Sequence, residues 1–88
     1  MTRYEKLYRN IIIEGNTSVS FSDLQFFVEK LGFSGRCKGD HFIYTLDGVS
    51  DIINIQPDGK NAKRYQVKQI RQIVEKYKLG GDSDEEKL

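Results

Sequence analysis

The chain has 88 residues, enough for one domain with a modest core. Apolar residues make up 38% and charged residues 31%, a composition typical of a soluble globular protein. No apolar run approaches the roughly 20 residues that a membrane-spanning helix needs, and no signal-peptide core follows Met1. The single cysteine, Cys37, excludes an internal disulfide, so we expect a cytoplasmic protein.

The N-terminal part of the chain predicts two helices. Residues 3–13 carry apolar side chains at helical spacing, and Gly15 ends that pattern. The spacing of Ser20 and Asp23 predicts a capping box at the start of a second helix. Gly32 then favours a left-handed helix end.

The middle of the chain changes to the pattern of β-structure. Residues 33–38, 41–46 and 52–56 predict three short strands rich in Ile, Phe and Tyr. The Asp-Gly pair at 47–48 predicts a tight turn. The proline in segment 56–60 predicts a second turn, because proline cannot extend an interior strand.

A last helix follows. Val67, Ile70 and Val74 repeat at three and four residues, which predicts a helix over residues 65–78, with Gly80 ending it. The order helix, helix, three strands, helix predicts one small domain of mixed helices and strands.

The net charge of +1 conceals an asymmetry. Residues 82–88 hold four acids and one lysine, so we expect a disordered acidic tail and a basic body. Between Lys60 and Leu79 the chain carries seven Lys or Arg against the single acid Glu75. Clustered cations are typical of phosphate contact, which makes RNA the expected partner. A merely solvated helix face is the alternative.

Basic residues also surround the start of the last helix. Lys63, Arg64 and Lys68 lie where the helix macrodipole is already positive, which costs roughly 0.3–1 kcal/mol for each cation. A bound phosphate would reverse that cost, and Lys60 adds a fourth cation. The alternative is that the long side chains swing away from the helix end.

His41 is the only histidine, and it begins the predicted central strand. An imidazole titrates near neutral pH, so it can act as general acid or base in RNA cleavage by a ribose 2′-hydroxyl. Arg36 and Lys38 could stabilise charge on the reacting phosphate. The alternative is a structural histidine beside a turn.

Other chemistry finds little support. One cysteine and one histidine cannot build a structural zinc site without several carboxylates, and the aspartates match no calcium-loop spacing. No glycine-rich nucleotide loop occurs. We therefore expect no metal and no small-molecule cofactor, and we expect Cys37 to be a buried structural residue.

Several segments together carry a resemblance to a known family. They are Phe21-Ser22-Asp23-Leu24, Leu31-Gly32-Phe33, Lys38-Gly39-Asp40-His41-Phe42-Ile43-Tyr44, Ile53-Asn54-Ile55-Gln56-Pro57 and Ala62-Lys63-Arg64-Tyr65-Gln66-Val67-Lys68-Gln69. In this order and spacing, residues 20–79 resemble the HicA family of toxins from prokaryotic toxin–antitoxin pairs.

The resemblance implies an α+β fold like that of double-stranded-RNA-binding domains, with a helix, a three-stranded antiparallel sheet and a second helix. Residues 3–13 would be an extra N-terminal helix, and residues 1–81 would form a single domain. Members of the family are messenger-RNA-cleaving toxins that a HicB-type antitoxin neutralises.

The resemblance also places the site. The family's functional histidine lies in a Gly-Ser-His or similar segment, and Gly39-Asp40-His41 occupies that place. Asp40 replaces the usual serine, and its carboxylate would favour a charged imidazole, which suits an acid role better than a base role. Arg64 stands where many members have proline.

These observations predict a metal-independent endoribonuclease toxin. The catalytic group is His41, with Gly39 allowing close backbone approach and Asp40 tuning the imidazole. The expected RNA contacts are Arg36, Lys38, Lys60, Lys63, Arg64, Tyr65 and Lys68. The alternative is a non-catalytic RNA-binding or partner-binding module, while a purely structural protein would leave the cation cluster unexplained.

Overall fold

The computed structural model describes residues 1–80, in which two helical segments are followed by five short strands and a last helix. In chain order the elements are α1 (Arg3–Tyr8) with its π-helical continuation (Arg9–Ile13), α2 (Phe21–Lys30), β1 (Ser34–Lys38), β2 (His41–Leu46), β3 (Val49–Ile55), β4 (Pro57–Asp58), β5 (Asn61–Ala62) and α3 (Arg64–Tyr77). The predicted α+β class and the order of the main elements are confirmed. The acidic tail predicted at 82–88 lies outside the described residues.

The first helix begins with a cap that the sequence pattern did not predict. The Thr2 hydroxyl accepts a hydrogen bond from the backbone N–H of Glu5, and the Glu5 carboxylate accepts one from the Thr2 N–H at 2.9 Å. This reciprocal pair is a capping box. The predicted extent of 3–13 is confirmed, although its last five residues are π-helical, and they bury Ile11 and Ile12.

Helix α2 begins and ends at the residues that the sequence predicted, Ser20 as N-cap and Gly32 after the last turn. The Ser20 hydroxyl accepts from the backbone N–H of Asp23 at 3.1 Å. The Asp23 carboxylate instead accepts from the Arg3 guanidinium at 2.7 Å, so the predicted reciprocal capping box does not form. Gly32 has a φ of 111°, and the buried Phe33 donates its N–H to a carbonyl of the last turn, as in a Schellman end.

Strands β1, β2 and β3 form one antiparallel sheet in that order. The predicted turn at 47–48 is confirmed, because Leu46 pairs with Val49 directly across it. Strand β3 therefore begins three residues earlier than the predicted 52, with a register irregularity between Tyr44 and Leu46. Because pairing starts directly at the turn, residues of low strand propensity such as Ser50 become part of the strand.

The sheet has one buried face and one open face. The paired residues Tyr44 and Ile53 lie in the core with the helices, as does Ile55. Gly35 lies opposite Tyr44, and a Cβ there would come within 2.3 Å of the tyrosine ring, so only glycine fits this position. The alternate residues of β2, which include His41 and Ile43, lie on the open face.

The segment predicted as a turn at 56–60 is a small hairpin instead. Strands β4 and β5 pair Pro57 with Ala62, and only Gly59 and Lys60 remain in the turn. The Ala62 N–H donates to the Val19 carbonyl at 2.9 Å, which ties the hairpin to the chain that precedes α2. This attachment fixes the point from which α3 begins.

Helix α3 packs its apolar side on β3 and on the π-helical segment. It buries Val67, Ile70 and Val74, as the spacing predicted. It ends at Tyr77, one residue before the predicted end at 78, because Lys78 already has a left-handed φ of 53° two residues before Gly80. Within residues 1–80, no helix is long and apolar enough to cross a membrane.

Candidate functional site

The turn between β1 and β2 presents His41 at the edge of the open sheet face. Gly39 occupies this turn with a φ of 66°, and a Cβ there would meet open space. His41 is the first residue of β2 and pairs with Lys38. The predicted location of His41 at the start of the central strand is confirmed, and its side chain is 46% exposed.

One imidazole nitrogen of His41 is held by the neighbouring strand. His41 Nδ1 lies 3.1 Å from Asn54 Oδ1, and Asn54 lies on β3. Because an amide oxygen can only accept, Nδ1 carries the proton in this contact. In the neutral ring, Nε2 then keeps its lone pair and can accept a proton.

Asp40 lies on the other side of the imidazole and is charged at neutral pH. Its Oδ1 is 3.8 Å from His41 Nε2, and its Oδ2 accepts from the side-chain amide of Gln56 at 3.1 Å. The hydrogen bond from Gln56 is the largest cause that lowers the pKa of Asp40, followed by a backbone N–H and by the charges of His41 and Lys63. The carboxylate is therefore an electrostatic neighbour of the imidazole.

Gln56 joins the histidine turn to the start of α3. Its side-chain oxygen accepts from Lys63 Nζ at 3.1 Å, while its amide nitrogen donates to Asp40. Its backbone N–H donates to the side-chain oxygen of Gln66 at 3.1 Å, and Gln66 is only 4% exposed. Through these bonds the two parts of the predicted site meet at one place.

The start of α3 carries positive charge with no acid in its own first turn. Lys63 is the N-cap, its side chain makes no capping hydrogen bond, and the first turn holds no acid within the described part of the chain. The N–H groups of Arg64 and Tyr65 have no intrahelical partner at this position. Tyr65 is 62% exposed beside them. A helix end of this kind attracts an anion.

The predicted RNA contacts fall into two groups. Arg36 and Lys38 lie on β1, on the same open sheet face as His41, because alternate strand residues share a face. The others lie on the β4–β5 turn or on the first turns of α3, namely Lys60, Lys63, Arg64, Tyr65 and Lys68. Within residues 1–80, Lys63 is the one of these residues whose side chain bonds towards the histidine turn, through Gln56, so it connects the α3 group to that turn.

Sequence reasoning missed three amides that organise the site. Asn54 and Gln56 alternate with the buried Ile53 and Ile55, so their place on the open face, where Asn54 is exposed and Gln56 half-buried, could have been read from the period of two. Gln66 gave no such signal. It lies on the buried side of α3, and only the register between β3 and α3 shows what its side chain accepts.

Cys37 was predicted to be buried, which is wrong. The residue is exposed, and its thiol donates to the Gly39 carbonyl at 3.1 Å. As part of an edge strand, it lies beside the histidine turn rather than under the helices. Among residues 1–80, no group of three or more His, Cys, Asp or Glu side chains is placed to hold a metal ion.

Comparison of the chain with protein-family models, with curated proteins and with solved structures finds no match.

Proposed function

We propose that this protein is a HicA-like toxin, an endoribonuclease that binds and cleaves messenger RNA in the cytoplasm and that a HicB-like antitoxin neutralises. Its fold would then be that of a double-stranded-RNA-binding domain with an extra N-terminal helix. One observation carries the proposal: Gln56 bonds both to Asp40, beside the imidazole, and to Lys63, at the uncapped start of α3. A general acid or base and a phosphate-binding helix end therefore share one site.

The proposed reaction moves one proton and exchanges one bond to phosphorus. His41 Nε2 takes the proton from a ribose 2′-hydroxyl, and the resulting 2′-oxygen attacks the adjacent phosphorus. The bond to the leaving 5′-oxygen breaks, and that oxygen receives the proton from the imidazolium. Asn54 holds the ring during both transfers through its contact with Nδ1. The products are a 2′,3′-cyclic phosphate and a 5′-hydroxyl, and no metal ion takes part.

Charge on the reacting phosphate would be stabilised from two directions. Lys63 and the free N–H groups of Arg64 and Tyr65 form the helix side. Arg36 and Lys38 project from the open sheet face on the other side. Donors that are already in place cost little reorganisation when charge develops in the transition state.

His41→Ala tests the proposal. The variant should lose roughly a hundredfold or more in cleavage rate, because the imidazole carries both proton transfers of the proposed reaction. It should bind RNA within about 1 kcal/mol of wild type, since an exposed imidazole adds little beside a cluster of cations. Cleavage should persist in excess EDTA, and RNA with a 2′-deoxyribose at the cut site should resist.

Thr45→Ala is the matched control, because Thr45 is exposed on the same face of β2 and has no role in the proposed reaction. It should cut at the wild-type rate. Equal cleavage by His41→Ala and by the control would reject His41 as the catalytic group. Activity that is lost with EDTA and restored by magnesium would reject the proposed chemistry.

A non-catalytic RNA-binding module is the second candidate. It is favoured by one observation: both nitrogens of the His41 ring already face side chains, Asn54 at 3.1 Å and Asp40 at 3.8 Å. In that case the imidazole is part of a structural network. Tight RNA binding by a wild-type protein that cuts no RNA under any condition would select this candidate.

A further inference from the structure

A small polar groove lies between the end of the first helix and α3, away from His41. Its volume is about 150 Å³, and its floor is formed by Ile11 and Val67. Its polar lining consists of Asn16, Thr17, Lys68, Arg71 and Gln72. We call it the Arg71 groove. Drug-sized ligands occupy pockets of roughly 300 Å³ or more, so this groove suits a single small group.

Arg71 is fixed at the rim of the groove. Its Nε donates to the Ile12 carbonyl at 3.1 Å, which belongs to the last turn of the π-helical segment, and one terminal nitrogen lies 3.5 Å from Glu75. Gly15 lies against the guanidinium, since a Cβ there would be 3.6 Å from Arg71 Cζ. The remaining terminal nitrogen has no hydrogen bond or ion pair with any of residues 1–80. A guanidinium fixed in this way binds an oxyanion with little further ordering.

Lys68 supplies a second cation at the same groove. Its ammonium makes no hydrogen bond or ion pair with any of residues 1–80. Arg64, Lys68 and Arg71 follow one another at spacings of four and three residues, so they share one side of α3. Lys68 lies about 6 Å, and Arg71 about 10 Å, beyond Arg64 along the helix axis. The groove thus continues the positive charge that begins at the start of α3.

We propose that the Arg71 groove is a second phosphate subsite, which binds a backbone phosphate of the RNA away from the cleaved bond. This inference rests on the proposed function, because that function supplies the RNA. The groove takes one phosphate, held by Arg71 and Lys68, while the start of α3 takes another. A cation pair that touches no reacting atom raises affinity equally in the ground state and the transition state, so it acts on binding and not on the chemical step.

Lys68→Gln and Arg71→Gln test the subsite, with Lys78→Gln as the matched control. Lys78 follows α3 and is exposed, and its side chain makes no bond with residues 1–80. We would measure RNA affinity between 50 and 200 mM salt. In each groove variant, the slope of log affinity against log salt should be shallower by one phosphate contact, about 0.7. Over this fourfold range of salt, wild type should therefore lose about 2.6-fold more affinity than the variant does. The control variant, Lys78→Gln, should keep the wild-type salt slope.

The outcomes separate this inference from the proposed function. If wild type cuts RNA while both groove variants keep the wild-type salt slope, the subsite is rejected and the function stands. If wild type cuts no RNA but both variants lose one contact, the function fails and the subsite stands. Arg71→Gln also removes the hydrogen bond to the Ile12 carbonyl, so the thermal midpoint of this variant is measured to check that it folds. An unchanged salt slope in a well-folded Lys68→Gln variant is by itself enough to reject the subsite. If titrated inorganic phosphate shifts the amide signals of residues 15–17 but RNA does not, the groove takes a free anion and the RNA assignment is rejected.

Discussion

The starts of α1 and α3 solve the same physical problem in opposite ways. Each helix begins with backbone N–H groups that have no partner within the helix. At α1, Thr2 and Glu5 satisfy two of these groups and bring a negative charge to the positive end of the macrodipole. At α3, Lys63 occupies the N-cap without capping, and no acid lies in the first turn of this described helix. The first arrangement stabilises a helix, whereas the second leaves it ready to bind an anion.

Helix α2 shows which arrangement is the default in this protein. Its N-cap Ser20 accepts from a backbone N–H, and Asp23 lies in the first turn. The start of α3 departs from both other helices, and it is also the place where Gln56 connects Lys63 to Asp40. A local violation of the capping rule, at one end of one helix, is a feature expected of functional sites.

The largest expected difference between the two helix starts is in RNA affinity. Lys63→Ala removes the cation at the uncapped end and its bond to Gln56. We expect RNA affinity to fall about tenfold near 0.1 M salt, which corresponds to about 1.4 kcal/mol. Lys6→Ala is the control, because Lys6 is an exposed cation in the last turn of α1. Equal affinities of the two variants, measured by fluorescence anisotropy, would show that the start of α3 does not contact RNA.

Lys63→Ser tests the stability side of the same contrast. It removes the same cation as Lys63→Ala but gives the helix a residue that can cap it, and the extended backbone of Lys63 already suits an N-cap. The serine variant should be about 1 kcal/mol more stable to urea than the alanine variant, with similar loss of RNA affinity. A serine variant no more stable than alanine would mean that the N–H groups of α3 are already satisfied.

The capping contrast also shows what the sequence could and could not predict about the fold. The ends of helix α2 were predicted well, because the Ser20 hydroxyl caps its first turn and Gly32 takes a left-handed conformation after its last turn. The hairpin of β4 and β5 was read as a turn, because strands of two residues are too short to show any alternation. Strand β3 began early because pairing across a tight turn overrides the weak strand propensity of Ser50.

The candidate site was predictable in its residues and not in its connections. His41 and Lys63 were identified by type and position, since an imidazole beside a turn and a basic helix start can both be read from a linear sequence. Their link depends on Gln56, which needs the register of β2 on β3 and the approach of α3 to be known together. Amide side chains carry no charge, so composition gives no warning of such a link.

A smaller effect is expected at the capped helices. Ser20→Ala removes the hydroxyl that accepts from the Asp23 N–H. The substitution should lower the free energy of unfolding by about 1 kcal/mol, within the usual range of roughly 0.5–2 kcal/mol for an N-cap, and it should leave RNA cleavage unchanged. Urea unfolding and a cleavage assay on the same preparation measure both. A folded Ser20→Ala variant that no longer cleaves RNA would contradict the proposal that, of the three helix starts, the start of α3 is the one that takes part in the site.

The smallest effect is a pH dependence that belongs to α1. The hydrogen bond from the Thr2 N–H is the largest cause that lowers the pKa of Glu5 below its usual 4.5. A lowered folded-state pKa means that the cap contributes stability above about pH 4.5, and that this contribution is lost as the pH falls through the folded-state value. Glu5→Gln should therefore have a lower thermal midpoint than wild type near pH 6, and the difference should shrink towards about pH 3. The cap introduced by Lys63→Ser has no titrating group, so its advantage over Lys63→Ala should persist over the same range. A Glu5→Gln difference that is constant with pH would mean that charge plays no part in capping α1, and the contrast between the two helix starts would then rest on hydrogen bonding alone.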